Sequence, residues 1–434
     1  MSNSTDVFVI GGGPAGSTIA NLAARRGHSV TLCEKDAHPR FHIGESLLPM
    51  NLKVFDELGV LDRVERLGIT KRGADFTTAN SGDEPLTYAF DRSLAGSPDH
   101  AFEVLRSEFD QALFEACREV GVDARDRTRV SSVARQDDGS HRVTTIDDDG
   151  TEQTWSARFV VDASGRDTFL SSSRGWKERN PRHASAAVYA HYRGVERRPG
   201  RDAGNVSIYW FEHGWVWLIP LRDDIMSVGA VCFPQHIKTR RGSLEAFLDS
   251  TLNGIAEVRE RMRDATLATE VEATGNYSYR SSRMCGPGYL LVGDAHTFID
   301  PVFSSGVYLA MVSAASGVDV ADAWLKGGAV RYRLACWRHQ RYMRRGLSTF
   351  SWFIYRFSSP AMRALFTRPQ NRLRVVDGIV SMLAGDVFEN PVVRRRLLLF
   401  KLIYRFAWLA NWRDGLAARR RRRESIRQSL HGAT

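Results

Sequence analysis

The chain has 434 residues, 43% of them hydrophobic and 25% charged. That is the balance of a folded globular protein about three domain lengths long, and it excludes disordered, fibrous and disulfide-stapled classes. The formal net charge is +10, and Arg413 to Arg427 hold seven arginines against Asp414 and Glu424. Such a run reads either as a solvated helix end or as a docking point for an acidic partner. No recognised nucleic-acid-binding motif accompanies it, so no nucleic-acid partner is expected. No stretch of about 18 uninterrupted apolar residues occurs, so no transmembrane helix is expected. The longest candidate, Leu397 to Ala410, is broken by Lys401 and Arg405. Met1 to Ile10 lacks the basic and apolar regions of a signal peptide. Cys33, Cys117, Cys232, Cys285 and Cys336 are scattered without a CxxC pair, which points to reduced thiols and a cytoplasmic location. No histidine–carboxylate cluster has metal-ligand spacing, so no metal is expected.

In chain order, Asp6 to Ile10 (DVFVI) reads as a short buried strand, Ser17 to Arg26 as a helix, and Ser29 to Glu34 (SVTLCE) as a second strand. Ser107 to Val120 alternates apolar and charged residues at helical spacing. Strands follow, punctuated by the hairpin signals Asp137-Asp138-Gly139 and Asp149-Gly150. Four further strands are predicted between Ala184 and Phe233, the last two joined by a turn at Arg222-Asp223-Asp224. GYLLVGDA (Gly288 to Ala295) reads as one more buried strand ending in a sharp turn, and from Val307 the chain is helical and rich in aromatics.

Gly11, Gly13 and Gly16 form GxGxxG between the first strand and the first helix, and Glu34 closes the second strand about twenty residues later. Glycines there let the backbone approach a pyrophosphate, the helix N-terminus supplies free N–H groups, and the acid suits a ribose hydroxyl. The pattern predicts a dinucleotide site, and NAD and FAD both fit it.

Other segments choose between them. Arg106 opens LRSEFD, and VVDASGR (Val160 to Arg166) and LVGDAH (Leu291 to His296) each place a small-residue turn after an apolar strand. Together with the glycine motif they resemble FAD-dependent enzymes of the flavoprotein monooxygenase superfamily. FHIGESLLP (Phe41 to Pro49), TKRGADF (Thr70 to Phe76), GWVWLIP (Gly214 to Pro220) and DPVFSSGV (Asp300 to Val307) narrow the resemblance. The chain is identified by these segments as similar to FAD-dependent halogenases of the tryptophan-halogenase-like superfamily. The branch it resembles is the pyrrole/phenol halogenases, which act on carrier-protein-tethered substrates. WxWxIP is the most specific motif, and the match runs from Asp6 to about Asp319.

The resemblance implies an α/β fold: a Rossmann-like, GxGxxG FAD-binding domain of the flavoprotein monooxygenase type with an inserted, mainly β-sheet substrate domain and a C-terminal helical region. Residues 1–75, 100–183 and 276–330 would form the discontinuous FAD domain, 76–99 and 184–275 the sheet domain, and 331–434 the helical region with the basic tail. It also implies Arg106 near the flavin phosphates, Asp294 on the ribityl chain, and a helix near Ser304 aimed at the isoalloxazine. Pro14, Ala15, Arg40, Ser46, Asp162, Gly165, Gly293, Pro301, Gly306 and Val307 complete the implied cofactor contacts.

A hydroxylase brings its substrate against the flavin-derived oxidant, whereas a halogenase lets halide meet it, forms hypohalous acid, and keeps the organic substrate away. Trp215 and Trp217 have the bulk for that wall; read alone, residues i and i+2 of a strand are equally ordinary core. Ser304, Ser305 and Gly306 offer chloride or bromide the donors of a helix start, and read alone also suit a plain N-cap. By the resemblance Lys71 is the catalytic lysine, taking up halogen as a haloamine or hydrogen-bonding hypohalous acid. Only seven lysines stand beside 53 arginines in the chain; arginine stays protonated and forms no haloamine so readily. Read alone, Lys71 also fits a surface loop, and Arg72 beside it leaves the register open by one residue. Glu45 and Ser46 are placed along the tunnel from flavin to lysine. Phe350 to Phe357 (FSWFIYRF) reads as core or as a lid over the substrate end.

The expected reaction takes FADH2, O2 and halide, and halogenates an electron-rich ring, pyrrole or phenol, in natural product biosynthesis. No second nucleotide fingerprint is present for NAD(P)H, so a separate flavin reductase is the expected partner. An acidic acyl or peptidyl carrier protein is the expected bearer of the substrate. Three alternatives stay open at this point: an FAD-dependent reductase of the geranylgeranyl reductase type, an aromatic hydroxylase, and a non-enzymatic homologue that binds FAD only.

Overall fold

The computed structural model describes residues 3–78, 85–180, 185–238, 240–275 and 278–410. The arginine-rich run from Arg413 to Arg427 lies outside the described residues.

Two sheets organise the chain. The first has a parallel centre in the order Tyr289–Leu291, Glu152–Asp162, Asn3–Ile10, Val30–Cys33, Asp123–Arg125. The apolar run VFVI suits a strand buried on both faces, and Val7, Phe8 and Val9 are fully buried. The hairpin signals hold: Gly139 and Gly150 take φ of +85° and +79° where Thr128–Arg135, His141–Asp147 and Glu152–Asp162 meander antiparallel. The first helix, Pro14–Arg25, begins at Gly13 with proline in its first turn, where the missing N–H costs nothing.

The second sheet runs Thr266–Leu267, Ala186–Arg193, Ile225–Cys232, Gly214–Pro220, Val206–Phe211, Gly73–Thr78, Leu86–Ala89. Its pairs are antiparallel except Val206–Phe211 with Gly73–Thr78. The strand from Gly73 therefore joins this sheet three residues before the boundary read at residue 76. Asp223 and Asp224 both adopt positive φ in the predicted turn, which suits a tight hairpin. Alternation along Gly214–Pro220 divides two cores: Trp215, Trp217 and Ile219 join the main core, while Val216 and Leu218 face a smaller one. Helices Leu244–Asn253 and Ala256–Arg261 contribute Phe247, Leu248, Leu252 and Val258 to that smaller core.

Beyond the helix Ser305–Leu325 come Ala329–Ile354, Pro360–Thr367, Val375–Leu383 and Pro391–Ala410. Phe350, Phe353 and Phe357 are buried, and the Phe357 ring lies 4.6 Å from Trp210. The aromatic stretch is thus core, the first of its two readings. One contiguous apolar core links both sheets and these helices.

The tightest approach in the first turn-and-helix unit is at Gly16, where an added Cβ would overlap the carbonyl oxygen of Gly11. Gly16→Ala is expected to destabilise the protein by about 1–3 kcal/mol through overpacking, read as a lower urea midpoint of the FAD-free chain; an unchanged midpoint would contradict this packing.

Candidate active site

The two sheets enclose a cavity of about 300 Å³. One part of its wall is Gly13, Pro14, Ala15, Glu34, Arg40 and Gly165, which follow the parallel strands Asn3–Ile10, Val30–Cys33 and Glu152–Asp162, together with Arg106 at the start of the helix Arg106–Glu119. Another is Trp215, Trp217 and Ile219 from the second sheet, and a third is Asp294, Pro301, Ser304, Gly306 and Val307. Glu45 and Ser46 line it from the loop after the second strand. Sixteen residues singled out in the sequence thus meet in one cleft.

Others stand behind the wall. Gly11, with φ of +98°, and Gly16 are close-approach positions rather than lining ones. Asp162 is fully buried and organises the turn after its strand: its carboxylate accepts from the Ser164 amide (3.1 Å), the Ser164 hydroxyl (2.6 Å) and the Leu170 amide (2.7 Å). Gly293, with φ of +57°, shapes the turn that presents Asp294. Neither Asp162 nor Gly293 is among the residues that line the cleft; each shapes a turn beside it. Ser305 is also buried, and its hydroxyl has no hydrogen-bond partner among the described residues.

Electrostatics sort the charged residues. Glu34 accepts from the Gly12 amide at 2.8 Å and faces Arg40 at 3.3 Å. Arg40 also lies 3.5 Å from Asp110, and Arg106 forms a two-pronged pair with that same carboxylate at 2.8 and 2.9 Å. Arg106 further donates to the Ile43 carbonyl at 3.1 Å, which ties the segment bearing Glu45 and Ser46 to the helix Arg106–Glu119. Asp294 accepts no side-chain hydrogen bond among the described residues; burial, opposed by Arg166 and Arg106, pushes its carboxyl up to about 7.

The helix Ser305–Leu325 starts after Ser304, whose left-handed φ of +53° turns the chain into it. The Ser304 amide donates to Pro301, so free donors at this helix start belong to the residues that follow it. No acid lies in the first turn, and a Cβ on Gly306 would meet nothing within 4 Å. This is an open, positive helix end.

Trp215 and Trp217 share one face, their rings 5.8 Å apart. Trp217 donates to Ser227 at 3.2 Å and lies across Gly229, which has no side chain to displace it. The wall is rigidly packed.

Lys71 overturns the surface-loop reading. It ends the strand Ile69–Lys71, is 1% exposed, and donates to Ser46 Oγ at 2.7 Å and to the Leu47 carbonyl at 3.0 Å. Its Nζ lies 3.9 Å from Glu103 and 5.6 Å from the centre of the Phe90 ring. Burial pulls its ammonium below the usual lysine range, against Glu103 and Asp75. Lys71 does not line the cleft; Ser46 stands between.

Sequence reasoning missed His191, which meets Glu45 at 2.8 Å across the sheets, and Glu103 and Asp110. A buried histidine in an otherwise apolar strand is the one signal available for His191. Arg166, the last residue of VVDASGR, also lines the cleft, as do Ile208 and Phe298, which no local pattern marks.

An FAD binding domain family matches residues 4–345. A chlorinase of 1H-pyrrole-2-carbonyl peptidyl-carrier protein from Pseudomonas fluorescens is 31% identical over 413 residues, covering 89% of this chain and 90% of its own. The myxobacterial chondrochloren halogenase, of known structure, is 31% identical with a TM-score of 0.77, covering 93% of this chain and 97% of its own. A flavoprotein/dehydrogenase from Cytophaga hutchinsonii superposes with a TM-score of 0.87 at 28% identity, over 94% of this chain and 100% of its own. The halogenase matches favour neither the prenyl reductase nor the hydroxylase alternative.

The cleft fits FAD. Gly13 carries no side chain at the helix start, meeting only the end of Arg40 if a Cβ is added; Glu34 and the unpartnered Asp294 present carboxylate acceptors to the cleft, the chemistry that sugar and ribityl hydroxyls require. Because Asp294 has a raised value when folded, its ionisation opposes folding of the FAD-free protein progressively as pH rises from about 4 through about 7. Asp294→Asn should therefore stabilise the FAD-free protein above about pH 7 and match wild type below about pH 4. It should also weaken FAD binding about tenfold or more by removing a charged acceptor. Thermal unfolding across pH and calorimetric titration with FAD check both, and an effect of equal size at every pH would contradict the assignment.

Proposed function

This chain belongs to the flavin-dependent halogenases, and on that premise we propose that it delivers chloride- or bromide-derived halogen through Lys71 to an electron-rich ring. In this reading the ring is a pyrrole or phenol, borne on an acidic acyl or peptidyl carrier protein in natural product biosynthesis, and a separate reductase supplies FADH2. The observation that carries the reading is Lys71: a fully buried amine joined by one 2.7 Å hydrogen bond to Ser46, a residue of the cleft wall.

When bound, reduced FAD with O2 supplies the two-electron oxidation that turns halide into hypohalous acid. The remaining tasks fall to the chain. The turns at Gly13 to Ala15, with Glu34, Arg40, Arg106 and Gly165, hold the dinucleotide, and Asp294, Pro301 and Val307 hold the rest of it. The start of the helix at Ser304 to Gly306 holds halide by its free amides and positive end. Trp215 and Trp217 exclude the ring from the flavin side. Glu45 and Ser46 flank the way to Lys71, whose amine, shifted by burial toward its neutral form, holds the halogen for transfer. On this division the flavin lies against the first sheet, and the ring enters by the second sheet and the C-terminal helices. The carrier assignment is supported by the pyrrole chlorinase relative and by the chain's positive charge.

The test supplies FAD, a generic reductase, NADH, halide and a thiol trap to wild type and Lys71→Met. Halide-dependent trapped oxidant is expected from both, with ring halogenation of the carrier-bound substrate lowered by about 100-fold or more in the variant, the scale of losing a covalent carrier group. Ring halogenation at the wild-type rate in Lys71→Met would remove Lys71 from the path.

A further inference from the structure

We propose that Glu103 is the proton partner of Lys71, taking the amine's proton through the Ser46 hydroxyl before the halogen arrives and returning one as the halogen leaves for the ring. The inference deepens the reading above and rests on Lys71 as halogen carrier. Glu103 lies in the strand Ala101–Glu103, paired antiparallel with Ile69–Lys71, and is fully buried. Lys71 Nζ donates to Ser46 Oγ at 2.7 Å, and Ser46 Oγ donates to Glu103 Oε1 at 3.1 Å. This is a two-bond proton path between groups 3.9 Å apart directly. Glu103 Oε2 has no hydrogen-bond partner among the described residues, and an ionised carboxylate with a bare buried oxygen is costly.

The charged surroundings are few. Glu45 stands beside Glu103 and is hydrogen-bonded to His191 at 2.8 Å. Asp75 faces Lys71 and is held by Thr87, Asn205 and Arg198. Burial pushes the Glu103 carboxyl up to about 8 against the pull of Lys71 and Ser46, and Glu45 adds to the rise. The same burial lowers Lys71. Both effects push a proton shared by the pair toward Glu103 and away from Lys71.

The chemistry then balances. The amine attacks the halogen of hypohalous acid: the N–X bond forms, the O–X bond breaks, and hydroxide leaves with the amine's proton as water. Passing the halogen onward from a neutral haloamine would expel an amide anion, a very poor leaving group. The Glu103 proton, delivered through Ser46, makes the leaving nitrogen a neutral amine as the C–X bond forms and the N–X bond breaks. The ring's proton then returns to the Lys71–Glu103 pair, restoring its one shared proton. Hypohalous acid is the only oxidant needed.

The readout is ring halogenation per hypohalous acid trapped, measured against pH for the holoenzyme with reductase, halide and carrier-bound ring. Glu103→Gln keeps the shape and the bond to Ser46 but has no transferable acid proton. It is expected to lower the ratio by about 100-fold, the low end for general acid catalysis. The gap should be widest below about pH 8 and close above it, where wild-type Glu103 loses its proton. Comparing variants at one pH cancels ionisation of hypohalous acid itself. Glu103→Asp, which retains the proton but shortens the reach to Ser46, should lose only part of the rate and keep the wild-type pH profile. A wild-type ratio in Glu103→Gln, or a loss equal at every pH, would overturn the proposal. If Glu103→Gln fails to bind FAD, Glu103→Asp decides alone, since an unchanged ratio there would show that the path is unused. Wild-type behaviour of Lys71→Met would sink both readings; an inactive Lys71→Met beside an unimpaired Glu103→Gln would sink only this one.

Discussion

The constraint on which the rest of the structure depends is the removal of Lys71 from water. An ammonium taken into an apolar interior either finds compensating partners or sheds its proton. The fold gives it one hydroxyl, one carbonyl, one carboxyl and the face of an aromatic ring. That set satisfies the nitrogen without fixing it as a permanent ion pair, because the carboxyl is itself pushed toward its neutral form by the same burial. A closer Arg–carboxylate pairing exists in the same molecule, at Arg106 and Asp110, and there the two-pronged geometry holds both charges in place. The contrast separates a joint that ties elements together from a pair that can exchange a proton.

The second requirement is geometric. A halogenase must let a small oxidant travel while keeping the ring it will modify apart from the flavin. In the function proposed here the strand Gly214–Pro220 supplies that wall by alternation alone: its odd-numbered residues Trp215, Trp217 and Ile219 face the cleft, and Val216 and Leu218 anchor the strand from behind. Gly229 on the neighbouring strand gives the Trp217 ring a flat bed. Phe357 reaches Trp210 and the Trp215 side of the sheet from the C-terminal helices, so the wall is braced by the part of the chain least like the rest of the motif set. Packing of that density leaves little room for the wall to swing open.

What the sequence revealed and what it hid follow one line. Gly11, Gly13, Gly16 and Glu34 were legible because their roles are local: a strand, a tight turn and a helix start lie within one short segment. The Trp pair was legible because period-two spacing puts i and i+2 on one face. Asp162 and Gly293 sat inside recognised turns yet serve the turn itself, which sequence proximity cannot distinguish from facing a ligand. Glu103 and His191 were invisible because their importance comes from pairing across the fold: Glu103 meets Ser46 57 positions away, and His191 meets Glu45 across 146. Lys71 was placed by motif, but its burial followed only from the strand pair Ile69–Lys71 and Ala101–Glu103, two short segments with no pattern of their own.

Two long helices open their N-termini on the same cleft, Pro14–Arg25 and Ser305–Leu325, and neither carries an acid in its first turn. Of the carboxylates that line the cleft, Glu34 is restrained by the Gly12 amide and Arg40, Glu45 by His191, Asp167 by Lys35, and Asp294 by burial that leaves it half-protonated near neutrality, while Asp36 is exposed to solvent. A site that must hold a pyrophosphate and a halide cannot leave free carboxylates beside either, since like charges across a few ångströms of low-dielectric cleft would expel the anion. In the function proposed for this cleft the acids are needed nonetheless, for sugar hydroxyls and for proton transfer. Apart from solvent-exposed Asp36, each of these acids has its own donor or has its charge withheld by burial, and the burial of Glu103 beside Lys71 follows the same rule.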